Sequence, residues 1–342
     1  MPVTLVSHAD YARHLTGAGH PERPARLRAV RDALSGEAWE EHLRYVDPEP
    51  VDPHLLTTVH ADRYVEQVRV LAGAGGGRLD VDTVVSPASF DVAQLAAGAA
   101  VVAVRDALPS RGRAFALIRP PGHHAGPAYG MGFCLFNNAA CAAEAALALG
   151  VRRVGIVDWD VHHGNGTQDI FYRRADVLVC SLHQEHWYPG TGALEETGAG
   201  EGAGFTVNIP LPAGTGDRGY RHAFEEVVLP LLDASAPELL VLCAGYDAHH
   251  ADPLGGMRLT EAGFAALTRL LLAHHPGPFV AVLEGGYDLA ALGRSVAATL
   301  SVLAGPGAPA VPETALQAEV GYAVLRSRIR EIRSVVRDAW PI

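Results

Sequence analysis

The chain contains no lysine, so all 27 of its basic residues are arginine. This absence excludes catalysis through a lysine Schiff base, a lysine-bound pyridoxal cofactor and the lysine of a phosphate-binding loop. Basic charge is also scarce, because 38 acidic residues leave a formal net charge of −11. We do not expect a chain with this balance to bind nucleic acid, which requires a basic surface to neutralise phosphates.

The sequence has only four cysteines, and we find neither signal-peptide features at its N-terminal segment nor a long apolar run. The four cysteines form no Cys-x-x-Cys pair; Cys141, Cys180 and Cys243 stand in apolar surroundings, and Cys134 is the fourth. We interpret them as buried free thiols of a reducing compartment, which predicts a cytoplasmic location. The N-terminal segment lacks the basic start and apolar core of a signal peptide. No run of about 18 apolar residues predicts a membrane span.

The composition and the pattern of apolar residues favour one large α/β domain. Apolar residues make up 49% of the chain and charged residues 19%, which suffices for a sizeable core. Short apolar runs predict strands at 114–118, 153–158, 177–181, 205–209, 239–243 and 279–283. Segments of helical period lie at 24–34, 91–107, 138–149, 218–232, 260–274, 289–303 and 319–337. This alternation predicts a parallel sheet covered on both faces, and the lack of a repeat or long polar linker predicts a single domain over residues 1–342.

Polar clusters follow five of the predicted strands. In chain order they contain His123 and His124, Asp160 and His162, His183, Asp247, and Tyr287. Ligands of open parallel sheets bind outside the carboxyl ends of the strands. We therefore expect the five clusters to meet at one edge of one sheet.

The segment DWDVHH predicts part of a metal site. Asp160 and His162 are two residues apart, so in an extended segment both side chains point to the same side. Asp247 is the candidate third ligand, and three protein ligands with one open position are typical of catalytic zinc. The donor set also accepts Fe²⁺ or Co²⁺. The alternative is that Asp160 caps a turn and His162 is a core histidine, which the convergence of the clusters disfavours.

A metal held by two carboxylates acidifies water less than one held by three neutral histidines, so a general base is required. His123 and His124 are the candidates, because histidine titrates near neutral pH. Tyr287 provides a neutral donor for a developing oxyanion. Taken singly, the two histidines are equally well explained as exposed residues of a polar loop, and Tyr287 is better explained as an ordinary half-buried tyrosine. Together they predict metal-assisted hydrolysis of a carbonyl compound by direct attack of water.

Six segments resemble motifs of the histone deacetylase family, specifically its class II-like branch with bacterial members. They are RPPGHHA, GFCLFNN, DWDVHHGNGTQ, SLH, AGYDAHHADPLGG and LEGGYD, and GHPERPARL matches the N-terminal signature of that branch. The resemblance extends from about residue 8 to 303. It implies the arginase–deacetylase fold, a three-layer α/β/α domain, and a zinc-dependent deacetylase acting on N-acetyl-lysine or a similar acetylated amine.

The resemblance also implies roles for individual residues. Asp160, His162 and Asp247 match the zinc ligands. His124 matches the general base, His123 its electrostatic partner and Tyr287 the tyrosine that polarises the carbonyl. Contacts to a structural potassium ion are implied for Asp158, Ser181 and Leu182, and Asp158 also matches a partner of His123.

Substrate contacts follow from the same resemblance. Phe133, with the adjacent Gly132, and Tyr188 match positions that line the substrate tunnel, and Leu254 matches its rim. Leucine at the rim favours acyl-lysine over acetylpolyamine, since polyamine-specific relatives tend to carry an acid there.

Some relatives have aspartate at the position of Asn165, beside the base. A neutral amide should raise the pKa of His124 less than a carboxylate would. We therefore expect this base to remain unprotonated to a lower pH than in the relatives that have aspartate.

Three alternatives stay open at this point. The first is an acetylpolyamine amidohydrolase, and the second is a non-catalytic acyl-group or metal-binding module. The third is a ureohydrolase with a two-manganese cluster, for which His249, His250 and Asp252 are the spare ligands. The helix predicted at 319–337 is interpreted as a surface helix in preference to an oligomer contact. Oligomeric state and physiological substrate are not readable from the sequence.

Overall fold

The structure is a computed structural model, and it describes residues 2–305 and 322–342. Its described strands are β1 (Val3–Val6), β2 (Leu43–Val46), β3 (Gly77–Arg78), β4 (Val84–Val85), β5 (Arg113–Ala116), β6 (Val154–Asp158), β7 (Val177–Gln184), β8 (Thr206–Leu211), β9 (Leu239–Ala244) and β10 (Phe279–Leu283). Eight of them form one sheet in the order β2-β1-β5-β10-β9-β6-β7-β8, with every pair parallel. The other two, β3 and β4, form a short antiparallel hairpin.

Helices cover the sheet and complete the predicted three-layer α/β/α domain. They are α1 (Ala25–Leu34), α2 (Pro53–Val59), α3 (Asp62–Gly73), α4 (Ser89–Ser110), α5 (Asn138–Ala148), α6 (Asn165–Phe171), α7 (Asp217–Ala223), α8 (Leu229–Ser235), α9 (Glu261–His274), α10 (Leu289–Ala304) and α11 (Tyr322–Val336). The central strands β6, β9 and β10 are buried along their whole length, as expected for a parallel sheet covered on both faces. The predicted fold class is therefore confirmed.

The long helix α4 is, by length and composition, apolar enough to cross a membrane. However, 67% of its most apolar 18-residue window is buried within the protein. The helix packs against β1, β5 and β10, and Gly98 lets the backbone at Glu49 approach so closely that a side chain there would collide with it. The apolar surface of α4 is thus accounted for by packing in the core.

Several elements differ from the sequence prediction. Strands β1 and β2, the β3–β4 hairpin and helices α2 and α6 were not predicted, because each is short and carries too few residues for a clear period. Helix α3 was also not predicted, although its 12 residues bury Tyr64, Val68 and Ala72 at helical spacing. The helix predicted at 218–232 is α7 and α8 joined by a π-helical segment, Phe224–Val228. Pro230 explains the interruption, since it cannot donate to the carbonyl four residues earlier and its ring crowds that carbonyl.

The predicted C-terminal helix begins outside the described residues, which resume at 322. Within them, α11 buries Leu325, Ile329, Ile332 and Val336 and contacts β8 and the π-helical segment. It therefore lies on the domain as a surface helix, in agreement with the simpler interpretation of its amphipathic pattern.

The five strands that precede the polar clusters are neighbours in the sheet. They are β5, β10, β9, β6 and β7 in spatial order, and all run in the same direction. Their carboxyl ends therefore bring segments that are far apart in sequence to one edge, as predicted. The candidate site lies there.

Candidate active site

Asp160, His162 and Asp247 form a buried cluster whose potential ligand atoms all lie within 4.8 Å of one another. The Nδ1 atom of His162 is 3.0 Å from Asp160 Oδ1 and 3.2 Å from Asp247 Oδ2. Asp247 Oδ2 is buried without a hydrogen-bond partner. An unpartnered carboxylate oxygen is costly to bury unless a cation compensates it, so these residues fit a metal ion.

Backbone groups and two glycines hold the carboxylates in place. Gly285 N donates to Asp160 Oδ2 over 2.9 Å, and Val161 N donates to Asp247 Oδ1 over 2.9 Å. Side chains at Gly245 or Gly285 would collide with these carboxylates. Glycine at these two positions is therefore required for the carboxylates to lie where they do.

The electrostatic field of the cluster favours a cation. Burial alone would lower the pKa of His162, but the neighbouring carboxylates of Asp160 and Asp247 raise it to about 10. Burial and the neighbouring Asp160 raise the pKa of Asp247 above its ordinary value. Two buried carboxylates this close stabilise positive charge between them, which is the requirement for divalent-metal binding.

His123 and His124 lie side by side, with ring centroids 4.0 Å apart. His123 Nδ1 is 2.9 Å from Asp158 Oδ2, whereas His124 Nδ1 is 2.7 Å from Asn165 Oδ1. Burial opposes protonation of both rings, but Asp160 and Asp158 raise the pKa of His123 well above its ordinary value. Burial, together with positive charge on His123, lowers the pKa of His124. The surroundings therefore favour a proton on His123 and disfavour one on His124.

Tyr287 is positioned by its own loop and by Asp252. Asp252 Oδ2 accepts hydrogen bonds from Tyr287 N at 2.6 Å and from Asp288 N at 3.1 Å. The Arg26 guanidinium carbon lies 5.0 Å from the centroid of the tyrosine ring. Burial raises the pKa of Tyr287 well above 10, so the phenol remains a hydrogen-bond donor.

Asp252 and Arg26 were not predicted to support Tyr287. Asp252 was considered only as a spare metal ligand, but it binds backbone N–H groups instead. Arg26 donates to the carbonyl oxygens of Gly286 and Glu284, which flank the glycine turn before the tyrosine. Both lie in recognised motifs, but their contacts depend on the fold and not on local spacing.

A pocket of about 250 Å³ leads to the metal cluster. All four predicted substrate-contact residues line it, namely Gly132, Phe133, Tyr188 and Leu254. The other lining residues are the predicted catalytic and ligand residues His124, His162 and Tyr287, together with Asp82, Trp187 and Pro253. The Phe133 ring is 5.6 Å from that of Tyr287, and the Tyr188 ring is 5.3 Å from that of His124. The pocket therefore has aromatic walls and polar groups at its inner end.

The wall residues depend on unusual backbone. Gly132 and Phe133 have φ values of +54° and +69°. A side chain at Gly132 would collide with the imidazole of His124, so glycine lets this wall approach the histidine. Two further lining residues are joined by a hydrogen bond, in which Trp187 Nε1 donates to Leu254 O over 2.9 Å and connects their two loops.

The predicted potassium contacts lie on β6 and β7, next to the metal cluster in the chain. Asp158 and Ser181 are register partners on β6 and β7, and Leu182 follows Ser181. Both carboxylate oxygens of Asp158 are already hydrogen-bonded, one to His123 and one to Asp160 N. The potassium site remains a prediction.

Two groups of predicted polar residues do not reach the pocket. His183 turns toward Ser181 Oγ, 3.1 Å away, and Gly192 O, 3.0 Å away, because it lies inside the longer strand β7. His249 and His250 stack on each other, and His249 lies 3.5 Å from Glu261. Within residues 2–305 and 322–342, a single three-ligand cluster is found, so a second metal cluster for a ureohydrolase is not seen there.

Comparisons with known proteins cover most of the chain. Residues 20–303 match the family model described as Histone deacetylase domain. A "Probable deacetylase" from Archaeoglobus fulgidus is 43% identical over 296 residues, which are 84% of this chain and 82% of that protein. The "Histone deacetylase-like amidohydrolase" of Pseudomonas aeruginosa is 42% identical over 278 residues, 79% of this chain and 73% of that protein. The crystal structure of the HDA15 HD domain is similar with a TM-score of 0.91 at 36% identity, covering 99% of this chain and 96% of that one.

Proposed function

This chain belongs to the histone deacetylase family, and we propose that it is a zinc-dependent amidohydrolase that removes acetyl groups from N-acetyl-lysine-like substrates. The observation that carries this proposal is the Asp160–His162–Asp247 cluster at the inner end of an aromatic-walled pocket, beside His123 and His124. Membership of this family supports hydrolysis of an amide bond in acetylated substrates.

Asp160, His162 and Asp247 would hold the metal ion. When bound, a divalent ion supplies Lewis acidity for the substrate carbonyl and for the attacking water. Zinc suits a set of two carboxylates and one imidazole, and Fe²⁺ or Co²⁺ suits it as well. Asp158, Ser181 and Leu182 are proposed to hold a structural potassium ion.

The remaining residues move protons and stabilise charge. His124, with Nδ1 engaged by Asn165, has Nε2 left to accept a proton from water as its oxygen bonds to the acetyl carbon. Tyr287 donates a hydrogen bond to the carbonyl oxygen as negative charge develops there. The C–N bond then breaks, and a histidine returns a proton to the amine nitrogen, which gives acetate and a free amine. Asp160 and Asp158 raise the pKa of His123, and in its protonated form this ring would favour negative charge at the reacting carbonyl.

The shape and chemistry of the pocket support an acyl-lysine substrate. Phe133 and Tyr188 present aromatic rings to the long, apolar lysine stem. Leu254 contributes an apolar rim. We therefore propose an acetylated lysine peptide as the preferred substrate class. We also propose a cytoplasmic location, where the four buried free cysteines would remain reduced.

One observation favours a second candidate, an acetylpolyamine amidohydrolase. Asp82 lines the same pocket and lies in a loop with Asp80, so the mouth carries negative charge suited to a second amine of the substrate. The peptide candidate is preferred because the rim at Leu254 is apolar.

The test measures acetate release by the zinc-loaded protein from an acetyl-lysine peptide and from acetylputrescine. We expect release from both, with the higher kcat/KM for the peptide and with both activities lost in His124→Gln. Higher kcat/KM for acetylputrescine, reduced by Asp82→Asn, would transfer the assignment to the polyamine candidate. No release from either substrate would overturn the hydrolase proposal.

A further inference from the structure

Asn165 connects the proposed base to a hydrogen-bonded chain that ends at the surface. Its Oδ1 atom is 2.7 Å from His124 Nδ1, and its Nδ2 atom donates to Tyr129 Oη over 3.0 Å. Tyr129 Oη donates in turn to Asp169 Oδ2 over 2.5 Å. Asn165 is buried, Tyr129 is half-buried and Asp169 is exposed.

The chain has a direction because its outer end can only accept hydrogen bonds. An ionised aspartate has no proton to donate, so the hydroxyl hydrogen of Tyr129 is committed to Asp169. The tyrosine oxygen must then accept, and the group available to donate to it is the amide N–H of Asn165. Met131 Sδ, 3.5 Å from the same Nδ2 atom, is a second acceptor that favours the same amide orientation.

The amide orientation determines which nitrogen of His124 carries the proton. With Asn165 Oδ1 toward the ring, neutral His124 must be protonated at Nδ1, and Nε2 keeps a lone pair. If the amide were reversed, its N–H group would face Nδ1 and the proton would move to Nε2. That tautomer cannot accept a proton at Nε2, where the proposed reaction requires it.

We propose that Tyr129 and Asp169 are positioning residues that fix the amide of Asn165 and thereby hold His124 in the tautomer protonated at Nδ1. The proposal rests on the proposed function for the catalytic use of Nε2. The tautomer itself is a property of the resting protein. Burial and the hydrogen bond to Asp169 raise the pKa of Tyr129, which keeps its hydroxyl protonated as a donor.

The local structure supports this role. Asn165 and Asp169 are four residues apart in α6, so both face the same neighbour. The Tyr129 ring lies directly over Gly126, where any side chain would collide with it, and Gly126 N donates to Tyr129 O over 2.9 Å. The loop before the pocket wall therefore places the phenol between the two polar side chains of the helix.

The test compares wild type with Asp169→Asn, which keeps the size of the side chain but can donate a hydrogen bond and so permits the chain to reverse. Selective ¹⁵N-histidine labelling and two-bond ¹H–¹⁵N correlation distinguish the two neutral tautomers, and a His124→Gln variant assigns the signal. We expect the Nδ1-protonated form in wild type and a mixture in Asp169→Asn. If nine-tenths of the ring adopts the other tautomer, kcat for acetate release falls about tenfold while KM is unchanged.

The double variant Asn165→Asp/Asp169→Asn provides the rescue. An aspartate beside His124 accepts a hydrogen bond whichever way Tyr129 points, so the Nδ1-protonated tautomer and kcat at pH 8 should return. Asp47→Asn, which changes an exposed acid elsewhere, should alter neither measurement. Retention of the wild-type tautomer in both Asp169→Asn and Tyr129→Phe would overturn the proposal. If the variants alter the tautomer of His124 but wild type releases no acetate, the positioning proposal is retained and only the proposed reaction is rejected.

Discussion

At the scale of single residues, His123 and His124 are adjacent in the chain but occupy opposite electrostatic surroundings. A carboxylate faces Nδ1 of the first ring and a neutral amide faces Nδ1 of the second. Groups whose pKa values are pushed apart in this way are typical of acid–base catalytic sites. The difference between the rings depends on their partners, since the two residues share the same loop and the same burial.

Asn165→Asp should raise the pKa of His124, because a carboxylate stabilises the protonated imidazolium more than an amide does. The unprotonated base is then lost at a higher pH, so the acidic limb of the kcat/KM profile should move upward. Profiles of wild type and variant on one acetyl-lysine peptide provide the measurement. Coincident acidic limbs would mean that His124 is not the group that titrates there.

Tyr287→Phe should lower kcat by about 10²- to 10³-fold, the usual effect of removing one donor to an oxyanion. KM should change little, since the ring and its contact with Phe133 are retained. Tyr45→Phe removes an exposed hydroxyl far from the pocket and is the matched control. Equal kcat values for Tyr287→Phe and wild type would remove the tyrosine from the mechanism.

At the scale of elements, the loops after β6, β9 and β10 pack so closely that glycine is required between the carboxylates. A side chain at Gly285 would collide with Asp247 Oδ2 and lie 2.6 Å from Asp160 Oδ2. The strand order therefore brings the ligands together, and the glycine turns determine how near they come.

Gly285→Ala should weaken zinc binding by about 10- to 100-fold, as displacement of ligand-supporting groups commonly does. Competition with a chelator of known affinity measures the change. Gly73→Ala is the control, because nothing lies within 4 Å of a side chain at that helical position. Unchanged affinity in Gly285→Ala would show that the carboxylates are not the ligands.

The same elements illustrate how far the sequence could be interpreted. Long apolar strands and the clusters after them predicted the parallel sheet and its functional edge, whereas the residues expected to line the pocket came from the resemblance to the histone deacetylase family. Short edge strands such as β1 carry too little pattern to be detected. The pairing of Asn165 with Tyr129 and the turn of His183 away from the pocket were not predictable, because they depend on packing between loops that local spacing does not encode.

At the scale of the whole molecule, a buried ionic network joins the N-terminal segment to the sheet. Glu22 accepts two hydrogen bonds from Arg119, each of 2.8 Å, and lies 3.4 Å from Arg26. All three side chains are buried. Burial alone would raise the pKa of Glu22, but Arg119 and Arg26 lower it to about 2.

Glu22→Gln should lower the free energy of unfolding by about 3–5 kcal/mol, because it leaves two buried guanidinium groups without their carboxylate. Since the pKa of Glu22 is lower in the folded than in the unfolded chain, its stabilisation is complete above about pH 4.5 and is lost as the pH falls toward 2. Urea unfolding at several pH values measures both effects. Glu66→Gln, at an exposed ion pair, should behave as wild type.

The metal-assisted reaction is tested most directly by titrating zinc into the metal-free protein while bound metal and acetate release from an acetyl-lysine peptide are measured in the same samples. We expect release to rise with the first equivalent, to saturate at one ion per chain and to be absent from Asp247→Asn. Release that needs two ions per chain, or that persists without metal or in Asp247→Asn, would contradict the account.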